Sequence, residues 1–580
     1  YMKKIYNKVI LSSFLLMGFL SGCGSVANGT KTYSYEYDYK EVEGGLEITG
    51  IRYNKKNKVL DITIPNEIRD KKVISIAPNA LKDVDIIRHV IMGANIQNIG
   101  QEAFSSCDNL VSITFPTEVS MKIGDRAFEN TALTSIQISN QIELGNEVYK
   151  NCQNVTSIQS NATVYGEDVF VGCQAVTDLT INFIGADSEN PKTLDYLFGT
   201  IPTTLKTITV TNAATFAENT FANLSSVTSI ELPTNRYAKT LPEGLFAESN
   251  QLTKITIPFV GQQTYDETNP LADYNYSLAY LFDVADNSLL PTSLKEVVLH
   301  PTTTIENVKY GQSVIRPINF SNSASLTTLT LNSGVETIEA SAFDGCSALE
   351  NITLSSSLTR IGKDAFKETK YYTDAAQTKD TLIVLDSWAI GFEASGENHD
   401  VQINNSVVSA VSDELFKDNP YITSVRLSNV KTLGNEVFKG ATNLKSVDMN
   451  LLTDVPASTF EDCTSLTEVN LPRITNVGAR AFANNTSLTS MNLSRVTSIA
   501  ESAFEGCTQL ETITISRNLN EVGANAFLNT ALSSVECTNI NQAAIDALKA
   551  LVANAEKYAT TGNELLTQAI NALQLPTEEE

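Results

Sequence analysis

Histidine and tryptophan are scarce in this chain of 580 residues, which holds three and one of them. His89, His300 and His399 stand far apart, with no HExxH or HxH spacing to bring two imidazoles onto one ion, so a His-built zinc site is excluded. Cations are outnumbered, Lys+Arg 41 against Asp+Glu 66, for a formal net charge of −25. Such a chain is repelled by phosphate backbones rather than releasing their counterions, which excludes nucleic acid as a partner. Long apolar runs are missing too: Val9 to Leu20 is twelve residues, where a membrane-spanning helix needs about 20. There is no GxSxG, P-loop or GxGxxG, no calcium loop of EF-hand type, and no His near a candidate Cys nucleophile. The chain reads as a non-enzyme with no cofactor and no metal. What is present, 42% hydrophobic and 18% charged residues, belongs to a folded chain rather than a disordered one.

The first residues read as an address. KKIYNK supplies a basic start, Val9 to Leu20 an apolar core, and Leu20-Ser21-Gly22-Cys23 follows directly. This tetrapeptide resembles the lipobox of bacterial lipoproteins. The resemblance implies cleavage of a signal peptide, residues 1 to 22, and lipid attachment at Cys23, with 23 to 32 as a flexible tether. Membrane contact is then through the lipid alone, and the chain faces outward. The alternative is an ordinary signal peptide with an incidental Cys.

The body is one repeat written about eighteen times. IGQEAFSSCDNLVSITFP (99 to 116), IEASAFDGCSALENITLS (338 to 355) and IAESAFEGCTQLETITIS (499 to 516) share the pattern IGxxAFxxCxxLxxIxLP. Its aromatic column runs from Phe104, Phe128 and Tyr149 to Phe504 and Phe527, mostly in steps of 21 to 25, with Leu81 opening it. One step, Phe366 to Phe416, is 50, and TLIVLDSWAIGF (381 to 392) inside it reads as a degenerate repeat. LxxIxL alternates as a half-buried strand does, and Pro or Ser ends it. Ala-Phe is expected on a short helical turn that sends the ring inward. One such unit cannot bury its own stripe, so neighbours must stack into a solenoid.

This unit resembles the leucine-rich repeat of the BspA-like bacterial surface proteins. The fold expected is a repeat solenoid, mainly short parallel β-strands with turns and short helical segments, over residues 73 to 538. The lead-in 33 to 72 is similar to the family's N-terminal β segment and is expected to act as a β cap. Residues 539 to 580 carry Ile545, Leu548, Leu551 and, past Gly562, Leu566 and Ile570 at helical spacing, with Asn541 as N-cap, and are expected to form a helical cap with an acidic tail. The family is implicated in adhesion and surface display, so the resemblance implies a cell-surface, lipid-anchored location on the extracellular face.

Cys107, Cys152, Cys173, Cys346, Cys463 and Cys507 all sit three residues after the column aromatic, where other copies hold Thr131, Ser249, Ala441 or Asn485. A position that also accepts Leu224 wants a small or medium side chain rather than a bond partner, so these read as buried free thiols. Only Cys152 and Cys173 lie in adjacent repeats, where a disulfide is within geometric reach.

Two surfaces are candidates for binding. The outward positions of the strands form a hydroxyl-bearing face, among them Thr328, Thr330, Ser424, Arg426, Ser490 and Asn492. Ser and Thr are also simply good exposed strand residues. Interruptions of the period map to loops that often bind. One, Phe259 to Phe282, carries Tyr265, Tyr274, Tyr276 and Tyr280, with 262 to 278 as its removable part; clustered Tyr gives contact area at low entropic cost. Ile184 to Leu197 and Lys370 to His399 are the others, and Trp388 in the latter reads as core. The function expected is protein binding, adhesion to extracellular, host or neighbouring-cell proteins. The alternative is a coat or filament protein without a dedicated ligand.

Overall fold

A computed structural model describes residues 35 to 575, apart from 55–58, 118, 140, 214, 234–239, 264–274, 301, 302, 306, 307, 311, 398, 538 and 539. The chain divides into two compact units, Tyr1–Tyr310 and Gly311–Glu580. In each, a regular repeat makes one rung with three parts rather than the two read from sequence. The LxxIxL strand is there, as in Ser112–Thr114. The residues just before the IG pair form a second, two- or three-residue strand, as in Asn98–Ile99 and Met121–Ile123. Both kinds pair parallel with their copies one rung away.

Between the short strand and the next long one lies an arch, and here the expected helical turn is not found. The residues two before and two after the aromatic take left-handed backbone, as Glu102 (φ 53°) and Ser106 (φ 57°) do around Phe104. Left-handed residues four positions apart go with every second amide pointing along the stack instead of back into its own segment. Glu102, Phe104 and Ser106 donate to the carbonyls of Asp125, Ala127 and Glu129 on the next rung, at 2.9, 2.8 and 2.8 Å. The remaining amides close tight turns, Ala103 to Gly100 and Cys107 to Phe104. A left-handed residue other than Gly costs roughly 1–2 kcal/mol, which three bonds between rungs, each about 1 kcal/mol net, offset. Asn, which tolerates this region best, recurs there at Asn130, Asn151, Asn223 and Asn529. Outside the C-terminal segment, α-helical turns among the described residues are confined to Asp195–Phe198, Leu278–Leu281, Pro317–Phe320 and Lys370–Ala375, all where the period is broken.

In the N-terminal unit an antiparallel hairpin, Tyr35–Val42 with Gly45–Tyr53, starts the ladder of short strands, which runs on to Val164–Tyr165. The long-strand ladder opens at Leu60–Thr63. Its first edge meets side chains rather than a strand: Tyr37 donates its hydroxyl to the Thr63 carbonyl at 3.0 Å, and the Thr63 amide donates to the Tyr35 hydroxyl at 2.9 Å.

In the C-terminal unit the column rings from Phe416 on stack face to face. Centroids of Phe438, Phe460, Phe482, Phe504 and Phe527 are 5.1–5.2 Å apart with planes within 1–17°. Ion pairs run alongside, bridging one arch to the next: Lys363–Glu414 at 3.0 Å, Lys439–Glu461 at 3.0 Å, then Arg480 to both Glu461 (2.7 Å) and Glu505 (3.3 Å). After the last rung come helices Gln542–Val552, capped by the Asn541 side chain as the sequence predicts, and Glu564–Ala572. Leu548, Leu551, Tyr558, Leu566 and Ile570 bury against the same core as Phe527. Asn563 accepts from the Phe527 amide at 3.0 Å and donates to the Gly523 carbonyl at 2.8 Å. A side-chain amide thus does for Phe527 what a further rung does for Phe438, Phe460, Phe482 and Phe504.

Stretch 381 to 392 is not a repeat of the same form. Leu382–Leu385 and Trp388–Phe392 make an antiparallel hairpin, and only Trp388 and Ala389 rejoin the parallel ladder, opposite Ala410 and Val411. Trp388 is 7% exposed and belongs to the core. No arch is built, although Phe392 keeps the ring column going, 5.3 Å from Phe416.

Candidate binding surfaces

The long strands put their outward side chains in two straight rows. Thr328 and Thr330 stand opposite Asn351 and Thr353, Ser424 and Arg426 opposite Ser446 and Asp448, and Ser490 and Asn492 opposite Thr512 and Thr514. All six of the residues singled out from sequence are half-buried or exposed. The face is less uniform than a hydroxyl sheet. Arg426 pairs with Asp448 at 3.2 Å, and Asn470 donates to Asp448 at 2.9 Å. With Ser424, Ser446 and Glu468 they border a shallow hollow of about 460 Å³. In the N-terminal unit the same rows carry Ser135 and Gln137, Ser157 and Gln159, Asp178 and Thr180, and Thr207 and Thr209. Thr207 donates to Asp178 at 2.5 Å and Thr177 at 2.6 Å, which holds the Asp178 carboxyl below its usual range against the opposing effect of burial.

The interruptions of the N-terminal unit share one place. They follow strands Asp178–Ile181, Lys254–Ile257 and Glu296–Leu299, which with Thr207–Val210 and Ser229–Glu231 belong to one parallel ladder. Each leaves at the corner where regular rungs cross to the short strand. The short-strand ladder ends at Val164–Tyr165, where Tyr196 donates its hydroxyl to the Tyr165 carbonyl at 2.9 Å in place of a further strand. Buried Phe183, Phe216, Phe259 and Val260 fill the corner instead. Ile184 to Leu197 contains a small hairpin, Gly185–Asp187 with Asn190–Pro191, then helix Asp195–Phe198. A second hairpin, Thr303–Ile305 with Val308–Tyr310, was missed from sequence. Its signal was present: the step from Phe282 to Phe320 exceeds the usual period.

Of the tyrosines in the Phe259 to Phe282 insertion, Tyr276 and Tyr280 are half-buried, while Tyr265 and Tyr274 lie outside the described residues. The base of the insertion is closed. Gln262 donates its amide to the Asn275 carbonyl and Leu241 its amide to the Gln262 carbonyl, both at 2.7 Å. Gly261 (φ 86°) lies so close that a Cβ there would sit 2.5 Å from the Asn275 carbonyl oxygen. Ser277 caps helix Leu278–Leu281, whose Leu278 is fully buried. Removing 262 to 278 therefore cuts into the fold, because it takes away Gln262, Asn275 and Ser277. Burial, and after it Glu243 and Glu218, raise the Tyr280 phenol.

The described cysteines are all free. The six in the column donate from sulfur to the carbonyl of the previous rung's column residue, at 3.0–3.2 Å, as Cys463 does to Phe438. Ser249 makes the same bond to Phe221, and Asn485 to Phe460. Cys, Ser and Asn thus use the position as a donor to the previous rung, while Thr131 donates to Phe128 of its own rung and Ala441 and Leu224 fill the site without the bond. Burial pushes the thiols of Cys107, Cys346 and Cys507 up to about 12, the opposite of an activated nucleophile. Cys23 lies outside the described residues. His89 meets Ser112, His300 the Leu232 carbonyl, and the His399 ring lies tilted against Tyr421. No group of His, Cys, Asp and Glu able to hold a metal occurs among the described residues.

The model of the BspA type leucine rich repeat region matches residues 74–190, 184–271, 313–445, 391–488 and 431–549. No curated protein gives a significant match. Among solved structures, a leucine-rich repeat protein from Bacteroides ovatus is 21% identical over 86% of this chain and 92% of its own, with a TM-score of 0.23. A leucine rich cell surface protein from Faecalibacterium prausnitzii is 18% identical over 90% and 98%, TM-score 0.23. The pneumococcal vaccine antigen PcpA is 14% identical over 90% of each chain, TM-score 0.22. Repeat solenoids of this kind offer long ordered surfaces suited to protein–protein interaction. With its rungs in register and most of its length matched by one repeat model, the chain belongs to the family of BspA-type leucine-rich repeat proteins.

Proposed function

We propose that the chain is a surface-displayed adhesion module, held to its membrane through lipid on Cys23 and binding extracellular proteins of a host or neighbouring cell. The observation that carries the reading is the gathering of the N-terminal unit's interruptions at one corner of neighbouring rungs, with Tyr276 and Tyr280 at the closed base of the longest. A stacked fold gains nothing in stability from such loops, since each displaces short-strand pairing. Their common placement makes a rough, tyrosine-bearing surface beside the smooth strand face.

The test is a pull-down from extracellular material with residues 24 to 580, followed by the variant lacking 264 to 274. The deletion should leave thermal unfolding unchanged and reduce capture of the partner. Equal capture by the deletion variant contradicts the assignment to this insertion. Light scattering addresses the coat alternative: a monomer at every concentration weighs against it, and concentration-dependent growth supports it.

A further inference from the structure

An uncompensated cationic stripe runs along one corner of the C-terminal unit. Arg473, Arg495 and Arg517 each stand two residues past the last inward residue of a long strand, Leu471, Leu493 and Ile515. Leu493 lies opposite Ile515 in the long-strand ladder; past the corner, Asn476 lies opposite Ser498 and Ser498 opposite Glu521. The first two turns have one length and one closing bond, the Ile474 amide on the Leu471 carbonyl and the Val496 amide on the Leu493 carbonyl. The third, Ile515 to Leu519, is one residue longer. Three arginines therefore leave the same corner of consecutive rungs, about 4.8 Å apart at the backbone.

All three are exposed. Among the described residues every other arginine except Arg69 enters an ion pair, as Arg426 does with Asp448 and Arg480 with Glu461, and these three enter none. Carboxylates of the adjoining short strands are held by other groups, Asp454 by Asn476 and Glu521 by Ser498. Like charges on neighbouring strands oppose folding, yet a chain of net charge −25 leaves these in a row without a counterion of its own.

Spacing and surroundings select the anion. Side chains on one side of an extended peptide are about 6.6–6.8 Å apart, out of step with the rungs, whereas one sugar of an extended polysaccharide is close to one rung long. Single-stranded nucleic acid binds on aromatic platforms, but the aromatics between Glu461 and Ala526 are Phe482 and Phe504, both fully buried. Nor does this stretch expose a large apolar side chain to enter a membrane surface. The arginines are bordered instead by Thr475, Thr497, Asn518 and Asn520, all half-buried or exposed, whose hydroxyls and amides suit sugar hydroxyls. We propose that this corner binds a linear anionic polysaccharide bearing one sulfate or carboxylate per sugar, each acid group gripped by the planar fork of one arginine. The regular pairing on both sides of the corner fixes the spacing. This site is independent of the tyrosine-bearing corner of the N-terminal unit.

The test is titration of the full chain with a heparin hexasaccharide and with a galacturonate hexasaccharide at about 0.1 M salt. At least one should bind with a Kd below about 1 mM, and the tighter of the two names the acid group. Arg495→Gln, in the middle of the stripe, should weaken that binding at least about tenfold, and Arg473→Gln should weaken it too. Arg495→Lys should weaken it less than Arg495→Gln, since it keeps the charge and loses the fork. Arg69→Gln, an unpaired arginine outside the stripe, should leave it unchanged. The proposal is overturned if neither saccharide at about 1 mM binds, if Arg495→Gln binds as well as the parent, or if hexathymidylate or hexaglutamate binds more tightly than both saccharides.

Discussion

Two stretches of the molecule build rungs from the same repeat and spend it differently. From Thr432 to Cys537 every rung has both strands and an arch, rings lie nearly parallel at 5.1–5.2 Å, and ion pairs join successive arches. From Asp178 to Tyr310 the short-strand ladder is gone, and rings are farther apart or tilted, as in Phe170–Phe198 (5.6 Å, 41°) and Phe246–Phe282 (5.4 Å, 44°). Lys254–Glu296 is the one ion pair of that stretch among the described residues. The regular stretch puts nearly every residue into pairing with its neighbours. The irregular one gives up part of that pairing and gains a corner free to carry loops, which is why the binding reading is placed there and the scaffold reading on the regular stretch.

The largest effect that separates the two should come from the ring column. Phe460→Ala opens a cavity between two parallel rings and should cost about 4 kcal/mol, read by denaturant unfolding. Phe198→Ala, in a column already tilted, should cost less. Equal losses would mean that the stacking difference has no energetic weight.

The next effect is acid sensitivity. At Glu461 burial, which alone raises its pKa, is outweighed by Ser458, Arg480 and Lys439; at Glu414 it is outweighed by Lys363 and Lys417, so both carboxyls stand below their usual range. Groups with depressed folded pKa stabilise the protein above their unfolded value, about 4.3, and that contribution is lost as pH falls through the folded value. Between roughly pH 5 and 3, hydrogen exchange should therefore accelerate earlier in the arches of 411 to 506 than in rungs 207 to 257. Each pair contributes only a few tenths of a kcal/mol, because the partners are partly solvated.

A smaller effect concerns two tyrosines. The Tyr149 hydroxyl is buried without a partner, while that of Tyr165 donates to Asn182 and Ser160 at 2.8 Å. Tyr149→Phe should be neutral or stabilise by up to about 1 kcal/mol, and Tyr165→Phe should destabilise by about 1–2 kcal/mol. Thermal unfolding of the two variants reads the sign directly.

The legible part of the sequence was whatever repeats at long range. The Phe column, the inward Leu and Ile of each long strand and the Asn541 cap all announce themselves, because burial on one face leaves a period. The short strands did not, since two residues such as Asn98 and Ile99 carry no alternation. Nor did the arch, whose IGxxAF segment has helix-like spacing and owes its shape to bonds with the next rung. Likewise Asn563 and Tyr196 act by reaching backbone distant in sequence, and no local pattern marks them. The candidate surfaces were half visible: breaks in period flagged the insertions, but that they share a corner follows from strand order alone.

Hydroxyl-radical footprinting of the full chain, with and without the partner captured by pull-down, puts the division between scaffold and loop corner to the most direct test. Protection should fall on 183 to 191 and 262 to 277, with the strand face at Ser424, Arg426, Ser490 and Asn492 unchanged. Protection confined to that strand face, with the loop corner untouched, would contradict it.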